Sequence, residues 1–130
     1  MTTKSDKFVN PLAKARGLGS THSGVEHWMH QRITAVANIP LMLWLVWSVT
    51  HMDHDYASFI AWLHAPVNAV LMILAVLSIF YHAALGMQVV YEDYLHCSCL
   101  RLIKIVGMKL FFAAAGIACI FSILKIAFAG

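Results

Sequence analysis

The sequence predicts an all-α integral membrane protein with three transmembrane helices. Of its 130 residues, 61% are hydrophobic and only 12% are charged, and the mean hydropathy is +0.74. A soluble domain carries about 25% charged residues, and a chain this short has too little interior to hide so much apolar surface from water. Three apolar stretches are also long enough to cross a bilayer core, which takes about 20 residues each.

The predicted spans cover approximately residues 30–50, 64–92 and 101–128. Pro66 suits the first turn of the second span, where its missing N–H costs nothing. We expect a connection that is polar at its start between the first two spans, and a tight turn around 92–100 between the last two. Residues 1–26 form a predicted polar N-terminal tail, and residues 27–130 form the transmembrane domain. The tail contains no apolar run of the kind found in a cleavable signal peptide.

The distribution of Lys and Arg predicts the orientation of the spans. Cytoplasmic loops carry an excess of these residues. Basic residues occur in the tail, at the head of the first span and after the second turn, whereas the first loop has none: Lys4, Lys7, Lys14, Arg16, Arg32, Arg101, Lys104 and Lys109. The N-terminus is therefore predicted on the cytoplasmic (or matrix) side and the C-terminus outside.

Composition also argues against two other classes of protein. The basic tail residues are diluted by Gly and Ser and lack interleaved aromatic residues, so we expect no nucleic-acid partner. Cys97, Cys99 and Cys119 are an odd number in a membrane chain and give no disulfide framework. The spacing in HCSC (96–99) is not that of a zinc or iron–sulfur loop, which favours a structural role.

One stripe of the second span carries residues that an apolar transmembrane helix does not require. Eleven residues separate His82 from Asp93, which is about 16 Å along a helix and returns to within about 20° of the same direction. Gly86 lies one turn from His82 and leaves a notch beside it. His82 is thus predicted near the midplane, with Asp93 and Tyr94 at the cytoplasmic interface.

An ionisable side chain at membrane depth usually faces a partner or a cavity. His82 therefore has two interpretations: an interhelical hydrogen bond to a Ser or a carbonyl, or a metal ligand, with haem as an apolar iron carrier. A six-coordinate haem would need its second axial ligand from another chain. At the interface, we expect Asp93 and Tyr94 to lie at a similar depth to Arg32, in a wet pocket suited to a quinone. Arg32 could instead reach lipid headgroups.

Two stretches carry a family resemblance, GLGSTHSGVEHWMHQRITAVANIPL (17–41) and HAPVNAVLMILAVLSIFYHAALGMQVVYEDYLH (64–96). Their specific parts are H-W-x-x-Q-R-x-T-A and H-x-x-x-G-x(6)-D-Y. The chain resembles the small hydrophobic membrane anchor subunit of succinate dehydrogenase (complex II), the cytochrome b small subunit. The larger cytochrome b subunit also carries His-x-x-x-Gly, but it lacks the Asp-Tyr that follows here at Asp93 and Tyr94.

The resemblance implies roles for four residues. His82 matches the axial ligand of haem b, with the other axial His supplied by the larger anchor subunit. Tyr94 matches the tyrosine that hydrogen-bonds a ubiquinone carbonyl, and Asp93 is its neighbour in the quinone site. Arg32 matches an arginine near the haem propionates and the quinone pocket.

The same resemblance implies a function in succinate:quinone oxidoreduction in a bacterial or mitochondrial inner membrane. The chain has no catalytic residue of its own; it would pack with the larger three-helix anchor and dock the iron–sulfur and flavoprotein subunits. Alternatives are the anchor of a fumarate reductase, or a haem-free structural anchor or assembly protein. A channel or transporter is disfavoured, because the interior of the third span, away from the basic residues towards its two ends, offers only Cys119 and Ser122 as polar side chains.

Overall fold

The structure is a computed structural model that describes residues 22–53 and 55–129. Within these residues the chain forms four helices and no strand: α1 (His22–His51), α2 (Tyr56–His64), α3 (Pro66–Tyr94) and α4 (Ser98–Ala129). Helices α1, α3 and α4 are long and apolar enough to cross a membrane. The predicted all-α class with three spans is confirmed. Residues 1–21 of the predicted tail lie outside the described residues, and residues 22–26 already belong to α1.

Helix α3 is the centre of the bundle. Helices α1 and α4 both pack along α3, and nowhere in the described part of the chain do their backbones approach each other closely. At one end of the bundle α1 begins, α3 ends and α4 begins; we call this the Glu26 end. At the opposite end, called the Leu63 end, the short helix α2 packs on both α3 and α4.

The apolar core lies at the Leu63 end. Leu63 is only 1% exposed and packs with Ala69 of α3 and Ile123 of α4. Phe59 and Trp62 of α2 add to this cluster, and the Trp62 ring stacks on Trp44 of α1 with 5.5 Å between centroids. The three α2 side chains fall on one face of the helix because they are three and four residues apart.

Hydrogen bonds fix both ends of α2. The Asp55 carboxylate accepts from the Ser58 backbone N–H at 3.3 Å, as an N-cap residue does. The Asn68 amide donates to the Trp62 carbonyl at 2.9 Å, and the His64 ring Nδ1 lies 3.2 Å from the Ala127 carbonyl near the end of α4. Sequence analysis treated this segment only as a connection that is polar at its start, whereas the structure folds most of it into a docked helix.

Candidate functional site

The structure places His82 of α3 against α1, beside Thr34. His82 Nδ1 lies 2.9 Å from the Thr34 hydroxyl oxygen, which is also 2.8 Å from the His30 carbonyl. The hydroxyl has one proton, and donating it to the carbonyl one turn back is a common arrangement for Thr in a helix. Thr34 then accepts from His82, so we assign the ring proton to Nδ1. The Nε2 atom of a neutral imidazole in this tautomer carries the free lone pair.

Gln31 of α1 faces that lone pair. Its amide nitrogen lies 3.5 Å from His82 Nε2, while its amide oxygen is buried and no described residue hydrogen-bonds it. A Cβ atom at Gly86 would stand 3.5 Å from the same amide nitrogen. The notch predicted at Gly86 therefore exists, and in this structure the Gln31 amide lies in it.

These groups belong to a polar seam between α1 and α3. The polar seam consists of Gln31, Thr34 and Asn38 on α1 and of Ser78, His82 and Gly86 on α3. The residues follow helical spacings of three and four, so each set shares one helix face. The side-chain oxygens of Asn38 and Ser78 are buried and lack hydrogen-bond partners in the part of the chain that the structure describes. A buried polar atom without a partner costs free energy, so the seam is not optimised for the stability of this chain alone.

A second polar contact between the same helices lies next to the seam. The His30 ring Nδ1 and the Tyr81 hydroxyl are hydrogen-bonded at 2.8 Å, and the two rings are 6.1 Å apart between centroids. This contact and the Thr34–His82 contact set the register of α1 against α3.

That register overturns one sequence-based expectation, because Arg32 does not lie at the depth of Asp93 and Tyr94. Its neighbour Gln31 faces His82, about 16 Å from Asp93 along α3. The error arose at the start of the first span. It was predicted at about residue 30, whereas α1 begins at His22 and thereby moves Arg32 about 15 Å into the helix.

Arg32 itself is exposed and stacks on an aromatic ring of its own helix. Its guanidinium carbon lies 5.3 Å from the centroid of the Trp28 ring, one turn nearer the Glu26 end. Such cation–π contacts are favourable at this distance. The side chain thus runs along α1 towards the Glu26 end, as the headgroup interpretation of Arg32 requires.

Asp93 and Tyr94 are the last two residues of α3, and both are exposed. Tyr94 is 77% exposed, and the following Leu95 N–H closes the helix by bonding the Tyr91 carbonyl at 3.1 Å. Neither side chain hydrogen-bonds another described residue. They are available to a ligand or to another subunit, about 16–18 Å from His82 along the helix.

The donor groups suit a haem better than a bare metal ion. In the described residues no three His, Cys, Asp or Glu side chains come together in a metal-binding arrangement. A haem iron has four ring nitrogens of its own and would need only axial ligands from protein. The geometry of His82 fits such a ligand, since its Nδ1–H is held by Thr34 and its Nε2 carries the lone pair. Holding the non-ligating nitrogen in this way is typical of metal-bound His.

Comparison with known proteins assigns the chain to a family. Residues 7–124 match the family model described as succinate dehydrogenase/fumarate reductase transmembrane subunit. The chain belongs to this family. The resemblance seen in the two motifs is therefore confirmed, and the three apolar spans of this transmembrane subunit agree with the family's description.

Curated relatives of this transmembrane subunit are named succinate dehydrogenase hydrophobic membrane anchor subunit. The protein of Rickettsia bellii is 41% identical over 105 residues, which cover 80% of this chain and 84% of the relative. Those of Rickettsia conorii and Rickettsia typhi are 36% and 34% identical, with the same coverage of both chains.

Sequence reasoning missed two members of the polar seam. Thr34 appeared only as a motif letter, and Asn38 was not considered. A signal was present, because Gln31, Thr34 and Asn38 are polar residues at helical spacing on the face that meets α3. His82 and Gly86 were correctly placed on one stripe of α3, and both meet Gln31 of α1.

Proposed function

We propose that the chain is the membrane anchor subunit of a succinate:quinone oxidoreductase, in which electrons from succinate reduce quinone. The observation that carries this proposal is the match of residues 7–124 to the transmembrane subunit family. Relatives named as succinate dehydrogenase anchors at 34–41% identity favour the succinate direction. The chain performs no substrate chemistry alone. It would be a multi-pass protein of a bacterial or mitochondrial inner membrane, with the Glu26 end on the cytoplasmic or matrix side.

The proposed partners are the larger cytochrome b anchor, the iron–sulfur subunit and the flavoprotein subunit. The larger anchor would pack beside α1 and α3 and complete the haem site. The soluble subunits would dock at the Glu26 end, where the excess of Lys and Arg predicts the cytoplasmic face. Asp93, Tyr94 and the turn into α4 lie at this end and are exposed.

His82 is the proposed axial ligand of haem b through Nε2, with the second axial His from the larger anchor. When bound, the haem would supply a one-electron reservoir close to the quinone site. Thr34 orients the imidazole by accepting its Nδ1–H. Gln31 has to swing away from Nε2 to make room for the iron, and its buried amide oxygen has no partner to hold it in place.

Asp93 and Tyr94 are the proposed contribution of this chain to the quinone site. The Tyr94 hydroxyl would donate to a quinone carbonyl and thereby polarise it, while Asp93 would exchange protons with the aqueous side. The backbone of Arg32 lies near the level of His82 and its guanidinium one turn nearer the Glu26 end. Its proposed role is towards the haem propionates, since it is too far along the helix to meet Tyr94 directly.

An optical spectrum of the purified complex tests the haem assignment. His82→Ala should abolish the low-spin b-type absorbance, because no other described His occupies the polar seam. His64→Ala is the matched control; His64 contacts the Ala127 carbonyl at the opposite end, and its removal should leave the spectrum unchanged. A wild-type spectrum in His82→Ala would refute His82 as the haem ligand.

The quinone assignment is tested by separating two activities of the complex. Tyr94→Phe should lower succinate:quinone reductase activity by about tenfold or more, since loss of one charge-stabilising donor typically costs at least that. Succinate oxidation by a soluble artificial acceptor should not change. Tyr56→Phe is the control, as Tyr56 is similarly exposed at 74% but lies at the Leu63 end. If Tyr94→Phe lowered both activities equally, the substitution would act on assembly of the complex and the quinone assignment would be wrong.

The family description also covers fumarate reductases, which is the second candidate function. The two are distinguished by comparing initial rates of succinate oxidation with ubiquinone and of fumarate reduction with reduced quinone, in the same preparation. A faster fumarate rate would reverse the proposed direction.

A further inference from the structure

A crevice between α1 and α4 has no part in the function proposed above. It exists because both helices pack on α3 without meeting each other. Its volume is about 660 Å³, within the usual range for small-molecule sites. None of the residues assigned to haem or quinone lines this α1–α4 crevice.

The crevice changes in polarity along the helix axes. Its polar lining residues are Glu26, His27 and His30 of α1, Tyr81 and Gln88 of α3 and Lys109 of α4, whereas Leu77 and Ile120 line the opposite end. His30 and Tyr81 are already hydrogen-bonded to each other. Eleven residues separate Gln88 from Leu77, and eleven separate Lys109 from Ile120, which corresponds to about 16 Å on each wall. A ligand that fits both walls has a polar head at the Glu26 end and an apolar tail directed to the membrane interior.

The polar end contains groups that lack partners. Glu26 and Lys109 form no ion pair or hydrogen bond with any described residue, although both line the same crevice. His27 Nε2 is buried and has no hydrogen-bond partner among residues 22–53 and 55–129. The crevice therefore presents one carboxylate, one ammonium and one buried ring nitrogen to a single headgroup.

We propose that the α1–α4 crevice binds a zwitterionic phospholipid with a primary ammonium group. The lipid phosphate lies at Lys109 and accepts from His27 Nε2–H, and the lipid ammonium donates to Glu26. One acyl chain follows the apolar walls towards Leu77 and Ile120. Charge-assisted hydrogen bonds of this kind are the stronger ones in proteins.

Charge complementarity selects this lipid over its competitors. An anionic phospholipid satisfies Lys109 but leaves Glu26 facing a second negative charge. A choline lipid has a cation without N–H donors, so it meets Glu26 less well. A quinone carbonyl can accept from Lys109, but an oxidised ubiquinone has no N–H or O–H donor for Glu26 and no charge to pair with either residue. The expected order of affinity is thus phosphatidylethanolamine, then phosphatidylcholine, then phosphatidylglycerol.

Photo-crosslinking of the assembled complex in nanodiscs tests the site. The probe is phosphatidylethanolamine with a diazirine on its acyl chain, and mass spectrometry maps the adducts. Adducts should fall on residues 113–120 of α4. Unlabelled phosphatidylethanolamine should compete at least tenfold better than phosphatidylglycerol.

Two variants test the headgroup contacts. Lys109→Gln should weaken labelling about tenfold, as expected for one charge-assisted bond, while Lys104→Gln, on the same helix outside the crevice, should not. Glu26→Gln should narrow the difference in competition strength between unlabelled phosphatidylethanolamine and phosphatidylglycerol. The control Asp53→Asn should leave that difference unchanged.

The comparison of lipids in the wild-type complex needs no variant, so the test stands even if a substitution prevents assembly. Equal competition by phosphatidylglycerol, stronger competition by a short-chain ubiquinone, or adducts confined to other surfaces would each overturn the proposal. Equal labelling of Lys109→Gln and Lys104→Gln would overturn it as well.

Discussion

The two ends of the bundle differ in how tightly they pack and in how far their polar groups are hydrogen-bonded. At the Leu63 end, α2 covers α3 and α4, Leu63 is almost fully buried, and the polar groups of Asp55, His64 and Asn68 are hydrogen-bonded. Towards the Glu26 end, α1 and α4 diverge and leave a crevice. The buried polar atoms that lack partners in the described residues belong to α1 and α3, and none belongs to α2 or α4.

We infer from this difference that the Leu63 end stabilises the fold, whereas the polar seam and the crevice are suited to binding. Apolar packing and satisfied caps at the Leu63 end stabilise the fold without help from another molecule. The polar seam and the crevice keep groups that this chain does not satisfy, and such groups are common where a ligand or partner completes the structure. Each prediction below changes one end and asks whether the other responds.

The largest effect on stability is expected from Leu63→Ala. Removing a side chain that is 1% exposed leaves a cavity among α2, α3 and α4, and such changes typically cost about 3 kcal/mol of unfolding free energy. Thermal or denaturant unfolding of the purified complex measures it. Leu43→Ala is the control, because Leu43 is 68% exposed on α1. The b-type spectrum should persist in folded Leu63→Ala; its loss would show that the two ends are coupled.

A smaller effect, confined to the seam, is expected from Thr34→Val. The substitution keeps the shape of the side chain but removes the acceptor of His82 Nδ1–H, and loss of such a partner typically weakens metal binding by about 10–100-fold. Haem retention during dilution measures this, and nitrogen NMR shifts of His82 report the tautomer independently of haem.

Two variants control for Thr34→Val. Thr34→Ser keeps the hydroxyl and should restore haem retention. Thr50→Val removes a similar hydroxyl-to-carbonyl bond, to Val46 at 2.9 Å, but lies at the Leu63 end and should have no effect. An unchanged His82 tautomer in Thr34→Val would contradict the assigned hydrogen bond.

The smallest effect is expected from the charge of Asp55, which is fully solvent-exposed. The hydrogen bond from Ser58 holds the pKa of Asp55 below its ordinary value of 3.8. Because the folded pKa is the lower one, this stabilisation of α2 is complete above pH 3.8 and disappears as the pH falls through the folded pKa. Hydrogen exchange at the Ser58 amide should accelerate in that window relative to neighbouring amides of α2. Asp55→Asn should remove this pH dependence, and an unchanged profile would exclude Asp55 as its source.

Much of the fold could be predicted because a helix that crosses a lipid bilayer requires a long run of apolar residues. Long apolar runs specified the three spans, and the polar residues within the second run specified the His82 stripe. The docking of α2 could not be predicted with the same certainty. Its apolar side chains, Phe59, Trp62 and Leu63, fit a helix, but their burial depends on α3 and α4, which the local pattern does not reveal.

The predicted depth of Arg32 was wrong for a related reason, because it too depends on contacts between helices. Hydropathy detects where apolar residues begin, but α1 starts earlier, in a segment that contains Glu26 and His27. The register between α1 and α3 is set by the contacts of His30 and Thr34 with Tyr81 and His82. Such pairings between distant segments are not visible in either helix alone.

The absence of a close approach between α1 and α4 also bears on the order in which the chain comes apart. Helix α4 packs on two other helices, on α3 along its length and on α2 near its C-terminal end. Helix α1 packs along α3 alone, apart from the ring stack of Trp44 on Trp62 of α2. Under mechanical load applied at the N-terminal side, α1 would separate first as one unit, and α3 and α4 would remain packed together with the short helix α2.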